Sequence, residues 1–586
     1  METNKIFNYS PEESIGQVCS VDSINVIIKA KNNEALKGLQ TNQLLVVNAP
    51  RAALHLIGII TKITRKASAD PIAGEDSDDL TFLNPINTDN FIKIALIGEI
   101  YDKKGTKYNV FKRNISALPE IDSDCFTISG ATLTNLMQTI ASTSKSQNHP
   151  LVLGCYSIDP DAIAYIDGDK LFQRHAIIVG STGSGKSYCV AKLVEQIAEL
   201  NMSNAIVFDI HGEYSTESFK RAGIEQYRIA SPADLLVQNK LKNKILMLPY
   251  WLLSYEEMQA MLLDRSDTNA PNQAMLLSKT VLEAKQNTVK GTPSLQSILT
   301  VDSPIPYDLN QVLFNLKQLD TAMIPGVKAG SEKQGPYFCK LTRFNQRLEA
   351  KLADKRLGFL FHLSENELKT DWMLHFCNTL MGAKQNNNGC GVKIIDFSEV
   401  PSDILPLILG LITRIIFSVQ QWSDINHRHP IALLCDEAHL YIPERKDGDI
   451  ISTLSLNNFE RVAKEGRKYG VSLVVISQRP AEVNHTVLSQ CNNFIALRLT
   501  NGEDQNIIKK LLPDNLGNIA ENLSILDVGE AIVVGDASLL PSRIIIEEPQ
   551  IKPSSQTVPF WQKWSDTTTS QDIANAVHNM IRQSKS

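Results

Sequence analysis

One stretch of this chain constrains its fold more than any other. Ala176-Ile-Ile-Val is a short apolar run, and it leads directly into Gly180-Ser181-Thr182-Gly183-Ser184-Gly185-Lys186-Ser187, which fits the pattern GxxxxGK[ST]. Tyr188 to Leu200 then reads as a helix. Strand, glycine turn and helix in that order form the context in which this pattern cradles phosphates. The glycines let backbone N–H groups turn inward, and the Lys186 ammonium can reach the β- and γ-phosphates. The positive amino end of the helix adds to both. Gly180, Ser181, Thr182, Gly183, Ser184, Gly185, Lys186 and Ser187 are therefore expected to bind nucleotide, with Ser187 also a Mg2+ ligand.

The same rhythm recurs downstream. Ala205-Ile-Val-Phe-Asp-Ile, Val392-Lys-Ile-Ile-Asp-Phe, Ile431-Ala-Leu-Leu-Cys-Asp, Val471-Ser-Leu-Val-Val-Ile-Ser and Phe494-Ile-Ala-Leu-Arg-Leu are continuous apolar runs separated by helical stretches. Runs of this kind suit a parallel sheet buried on both faces, joined by crossover helices. Residues 156–250 and 391–545 are assigned to this α/β core. Residues 251–390 are mostly helical in pattern and read as an insertion, with loops around Asn287 to Thr300 and Ala329 to Gly335. Residues 1–155 differ: Gly16 to Val21, Ser23 to Ile28, Gln43 to Val47, Ile57 to Ile63 and Phe91 to Ile100 are short β-branched runs, which predict a small β-barrel. The acidic stretch Ala69 to Asp79 reads as a mobile loop. Residues 546–586 form an extension that ends in an amphipathic helix, Ser570 to Arg582, with Ile573, Val577 and Met580 on one face.

Phosphoryl transfer needs a metal partner and a group that orients or deprotonates water. The run Ile431–Cys435 ends in Asp436 and Glu437; Asp436 suits the metal and Glu437 the attacking water. Gln478, at the polar tip of Val474-Val-Ile-Ser-Gln-Arg-Pro, could touch both the γ-phosphate and that water. Asp209 ends another strand, in Phe208-Asp-Ile-His-Gly-Glu213-Tyr, where open α/β sheets bind ligands. A structural role for Asp209 or Glu213, holding the loop, fits the residues equally well. Asp396 is expected to be structural. Arg461 and Arg467 lie towards the end of a helix and Arg174 just before the phosphate-loop strand; each could meet a neighbouring active site or a surface carboxylate.

The 586 residues include 58 Lys plus Arg against 64 Asp plus Glu, a net charge of −6. Such a chain is not a general polycation, so any nucleic-acid contact must come from a local basic patch. Nine cysteines without CxxC spacing suggest a reducing cytoplasm. The amino terminus lacks the pattern of a secretory signal. The longest apolar stretch, Ile404 to Val419, is broken by Pro406, Thr413 and Arg414 and reads as a buried helix, so no membrane is expected.

Taken in order, Arg174-His before the phosphate loop, FDIHGEY, LPYWLLSYEE, CDEAHLYIP, ERVAKEGRKYG, ISQRP, GEAIVVGD and LPSR resemble the HerA family of hexameric ATPases, in the wider HerA–FtsK group. The amino-terminal strands resemble that family's HAS barrel, so the resemblance covers nearly the whole chain. It implies a RecA-like ATP- and Mg2+-dependent core, a homohexameric ring and movement of double-stranded DNA. It also implies a partner nuclease or sirtuin-like effector, in DNA end processing or anti-phage defence. A second reading keeps the ring but makes it an ATP-regulated scaffold for that effector. By the resemblance, Asp436 and Glu437 are the Walker B pair, Gln478 the sensor, Arg467 or Arg461 a finger acting in trans, and Arg174 a second interface arginine. The Asp436-Glu-Ala-His439 tetrapeptide also suggests a superfamily-2 helicase, but its distance from the phosphate loop argues against that, and His439 then reads as incidental. For DNA, the candidate basic sites are Arg445 with Lys446 and, less strongly, Lys220 with Arg221.

Overall fold

The short β-branched runs near the amino terminus curl into a closed barrel. Its strands are β1 (Gly16–Asp22), β2 (Asn25–Ala30), β3 (Leu44–Asn48), β4 (Leu54–Ser68), β5 (Asn87–Lys103), β6 (Lys107–Lys112) and β7 (Asp124–Thr127). They pair in the order β2-β1-β7-β3-β4-β5, and β5 returns to β2 to close the ring, with β6 added outside on β5. Every pair is antiparallel. Closure leaves the ring no exposed edge. Alternate residues point inward, so Val18, Val26, Ile28, Leu45, Val47, Leu56, Ile60, Ile92 and Ile94 fill the interior. The structure, a computed structural model, describes all residues except 1–5, 24, 52, 69–86, 104–106, 142–149, 329, 383–390, 446–449, 512–520, 539, 556–557, 566–572 and 585–586. The acidic stretch Ala69 to Asp79 lies outside the described residues.

The remaining long strands are β8 (Leu151–Tyr156), β9 (Ile163–Ile166), β10 (Ala176–Val179), β11 (Ala205–Asp209), β12 (Ile224–Ile229) and β13 (Ile245–Leu246). A small hairpin, β14 (Met323–Pro325) and β15 (Glu332–Gln334), follows. After it come β16 (Val392–Asp396), β17 (Ile431–Cys435), β18 (Val471–Ser477), β19 (Asn493–Leu497), β20 (Glu530–Gly535) and β21 (Ser542–Ile546). All of the apolar runs expected to be sheet strands are strands. The chain divides into two compact units. The first holds Met1–Gln196, Ser477–Ala481 and Cys491–Gln550; the second holds Ile197–Ile476, Glu482–Gln490 and Ile551–Ser586.

In the first unit, beside the barrel, strands run β10-β19-β20-β21-β8-β9; β10 and β19 are parallel and the rest antiparallel. Because β8 pairs with β21, residues 151–155 belong with these strands and not with the barrel, a few residues earlier than the boundary expected from sequence. In the second unit the order is β13-β12-β16-β11-β17-β18, all parallel. Every residue of β11, β17 and β18 is buried, which is why these segments read as unbroken apolar runs. β12 (IEQYRI) carries three polar residues and escaped the sequence reading for that reason.

The insertion is helical as expected, with helices Tyr255–Leu262, Ala270–Thr288, Leu309–Thr321, Thr342–Ala353 and Trp372–Met381. The loop expected to open at Asn287 begins at the end of Ala270–Thr288, and that expected at Ala329 to Gly335 overlaps β15 of the hairpin. The apolar helix Leu405–Trp422 is long enough to span a membrane, yet most of it is buried within the second unit. It packs on the helix Ile450–Tyr469 so closely at Gly410 that a Cβ there would lie 2.8 Å from the Ser455 Cα. Arg414, which interrupts the apolar run, points a fork at Glu257, with Nε 2.9 Å from Oε1 and Nη2 2.7 Å from Oε2. This pair ties the first insertion helix to Leu405–Trp422. The carboxy-terminal helices Phe560–Ser565 and Ile573–Arg582 bury no residue, so Ile573, Val577 and Met580 of the expected apolar face are exposed.

Candidate active site

The phosphate loop is built within the first unit. The Gly180 N–H donates to the Ser477 carbonyl (3.4 Å) and the Ser181 N–H to the Arg498 carbonyl (2.9 Å), so Ser477 and Arg498 hold the start of the loop. The Ser181 Oγ accepts from the Thr500 N–H at 3.2 Å. On the far side the Gly529 N–H donates to the Ser184 carbonyl at 3.0 Å. Gly185 has φ +97°, and a Cβ there would stand 3.1 Å from the Gly529 backbone. Glycine is therefore required at 185 both by its dihedral and by that close approach. The helix Lys186–Ala198 starts directly after this turn. Lys186 is buried, Ser187 is half-buried, and Thr182 and Gly183 at the tip are exposed. The Thr182 Oγ1 donates to the Gln478 Oε1 at 2.6 Å, which sets the expected sensor against the loop itself.

The acidic pair is built within the second unit. β17 carries Asp436 and Glu437 at its carboxyl end, 2 % and 3 % exposed. Glu437 adopts φ 45°, ψ 45°, the left-handed region. A side chain other than glycine pays about 1–2 kcal/mol there, a cost met at functional turns. The Tyr441 hydroxyl donates to the Asp436 carbonyl at 2.9 Å, and its buried ring packs on Phe208 and Phe459. That phenol fixes the turn, and no motif in the sequence pointed to it.

The other residues singled out from sequence divide clearly. Asp209 is fully buried and accepts from the Glu213 and Tyr214 N–H groups (both 2.9 Å) and from the Ser215 hydroxyl (2.7 Å). Burial pushes its carboxyl up to about 6; the Ser215 hydroxyl opposes this, Asp396 beside it adds to it, and the two N–H groups offset part of the rise. Of the two roles open to Asp209, binding nucleotide or holding its loop, these hydrogen bonds fit the second. Asp396 accepts from the Ser398 N–H, the structural role expected of it. Arg461 lies 4.6 Å over the Phe417 ring and donates to Gln421. Arg467, in the last turn of Ile450–Tyr469, is exposed and meets no carboxylate among the described residues. Arg174 stands 3.6 Å from Asp536. Of the basic pairs considered for DNA, Arg445 is held by Glu460 at 2.9 Å, Lys220 by Glu217 and Arg221 by Glu199. Lys446 lies outside the described residues. Each described member is thus already matched by an acid of the same chain.

The donor set suits a nucleotide with magnesium. Gly183 and Gly185 both take positive φ, which turns the loop around an anion, and the loop begins a helix with a buried lysine. Among the described residues no three His, Cys, Asp or Glu side chains cluster to hold a metal. A Mg2+ held by one hydroxyl, one carboxylate and substrate phosphates needs no such cluster.

A phosphate loop between a parallel-sheet strand and a helix, and a parallel sheet with an acid-tipped strand, are the parts of a RecA-like P-loop ATPase. The family described as "Helicase HerA, central domain" matches residues 153–416. The DNA double-strand break repair helicase HerA of Pyrococcus furiosus is 23% identical over 428 residues, covering 68% of this chain and 70% of that protein. The protein of the same name from Sulfolobus acidocaldarius is 26% identical over 397 residues, covering 67% and 68%. A probable helicase of Methanocaldococcus jannaschii, MJECL08, is 22% identical over 567 residues, covering 91% and 95%. Through residues 153–416 the chain is similar to the HerA family, and it carries the phosphate loop of a P-loop ATPase.

Proposed function

We propose that this chain is an ATP-dependent double-stranded DNA translocase that works as a hexameric ring in the cytoplasm, beside a partner nuclease or sirtuin-like effector. The observation that carries the reading is the phosphate loop with Gln478 bonded to its tip, in a chain similar over about two thirds of its length to proteins named as DNA break-repair helicases. The backbone of 180–187 and the Lys186 ammonium bind the phosphates of ATP and offset charge on the γ-phosphoryl group. Ser187 and Asp436 would hold Mg2+, which would supply positive charge to offset that of the phosphates. Glu437 orients the attacking water and accepts its proton. Gln478 senses the γ-phosphate and passes its state to Thr182. Arg467 serves as the finger in trans; Arg461, engaged with the Phe417 ring, is the weaker choice. Arg174 acts as the second interface arginine.

The alternative is an ATP-regulated ring scaffold that activates its effector without processive movement. It is favoured by the acid partners of Arg445, Lys220 and Arg221, which place a negative charge beside each of these cations. ATP hydrolysis by the full chain, measured with and without duplex DNA at several salt concentrations, separates the two. A motor should hydrolyse faster with DNA, and its affinity should fall steeply with salt because phosphate contacts release counterions. A rate indifferent to DNA, with no measurable duplex binding, gives the scaffold.

A further inference from the structure

The hydrolysis chemistry above uses the first two residues of Asp436-Glu437-Ala438-His439 and leaves the histidine without a part. Its placement gives it one. The left-handed turn at Glu437 leads into the short 3-10 helix Ala438–Leu440, closed by the Leu440 N–H donating to the Glu437 carbonyl at 3.0 Å. This folds the chain back so that His439 Nδ1 lies 3.4 Å from Glu437 Oε2. Ala438, Tyr441 and Ile442 turn into the core, each fully buried, whereas His439 stays beside the carboxylate and is 16 % exposed on its side chain. A histidine that merely filled space would sit with those three.

We propose that His439 is a positioning residue for ATP hydrolysis: its Nδ1, 3.4 Å from Glu437 Oε2, closes to a hydrogen bond on that oxygen in the hydrolysing site and fixes the carboxylate so that the other oxygen, Oε1, faces the attacking water. The neutral ring with its proton on Nδ1 and the charged ring both donate from that atom. In the step served, the water oxygen bonds to the γ-phosphorus, its proton passes to Oε1, and the bond from the γ-phosphorus to the bridging oxygen breaks to release ADP. The proposal rests on the reading of Glu437 as the water-orienting group.

The test is steady-state ATP hydrolysis by the full chain carrying His439→Ala, His439→Asn, His439→Gln, Glu437→Gln, or Glu437→Gln together with His439→Ala. Losing one hydrogen bond to a charged group should lower kcat roughly ten- to a hundredfold in His439→Ala, with KM for ATP changed by less than about twofold. His439→Asn places an amide N–H near the Nδ1 position and should recover most of the rate. His439→Gln, whose amide reaches further out, should resemble alanine; the asparagine–glutamine contrast serves if the alanine chain does not fold. With Glu437→Gln already present, His439→Ala should cost nothing further, because the histidine acts only through that carboxylate. Parental kcat in His439→Ala, a loss confined to KM, equal rates for Asn and Gln, or a full additional loss beside Glu437→Gln would each overturn the proposal while leaving Glu437 its role. Parental hydrolysis by Glu437→Gln alone would overturn the reading of Glu437 and the proposal with it.

Discussion

Asp209 sits at the carboxyl end of β11 with both oxygens occupied by the loop Glu213 to Ser215. Burial raises its pKa to about 6, against an ordinary carboxylate value near 4 in the unfolded chain. A raised acid holds its proton more tightly when folded, so its contribution to stability is full below the unfolded pKa. That contribution is lost as pH rises through about 6. Between pH 7 and pH 4 the parent should therefore gain stability relative to Asp209→Asn, by an amount on the order of 2 kcal/mol. Unfolding midpoints of both chains across that range check this. A difference that is flat with pH would mean that the carboxyl is not perturbed. The phosphate-loop residues and the acid pair were readable one by one, because each belongs to a short contiguous pattern. The left-handed backbone of Glu437 and the Tyr441 phenol beneath Asp436 were not, since a dihedral and a buried contact leave no periodic trace.

Two contacts between elements hold the insertion and the central helix to the second unit. Arg414 and Glu257 form a two-pronged pair in which the carboxylate is buried and the guanidinium partly exposed. Arg414→Ala should strand that acid and destabilise the chain by about 2 kcal/mol, read from denaturant midpoints. Arg414→Ala with Glu257→Leu should recover part of the loss, since removing both charges leaves none unpaired. At Gly410 the two long helices meet with no room for a side chain. The sequence indicated the helix Leu405–Trp422 by its apolar run and even noted Arg414 as an interruption. The meaning of the interruption required Glu257, which lies 157 residues earlier in the chain. Likewise β12 and the hairpin β14–β15 were missed because short strands with polar residues lack a clear alternation.

At the scale of the whole molecule, Arg467 is the one of the three candidate arginines that meets no carboxylate among the described residues. Should it complete a neighbour's site, hydrolysis requires assembly, and inactive subunits should complement one another. Arg467→Ala chains retain their own phosphate loop, and Lys186→Ala chains retain their finger. Mixing the two should restore measurable turnover at mixed interfaces, whereas each alone is nearly inactive. Native mass should be that of a hexamer. A fully active monomer, or mixtures no better than their components, would remove Arg467 from that role.

The continuous apolar runs and the glycine turn determined, without any coordinates, that this chain builds an α/β nucleotide-binding core behind a small barrel. Both signals are local: a strand buried on two faces must be apolar throughout, and a backbone that wraps phosphate must be glycine-rich. Tertiary structure alone decided which charged residues are already paired. Arg445 and Arg221 look in sequence much like Arg467. They differ only in whether folding brings a complementary group within a few ångströms, and that depends on partners as far away as Glu199 and Glu460.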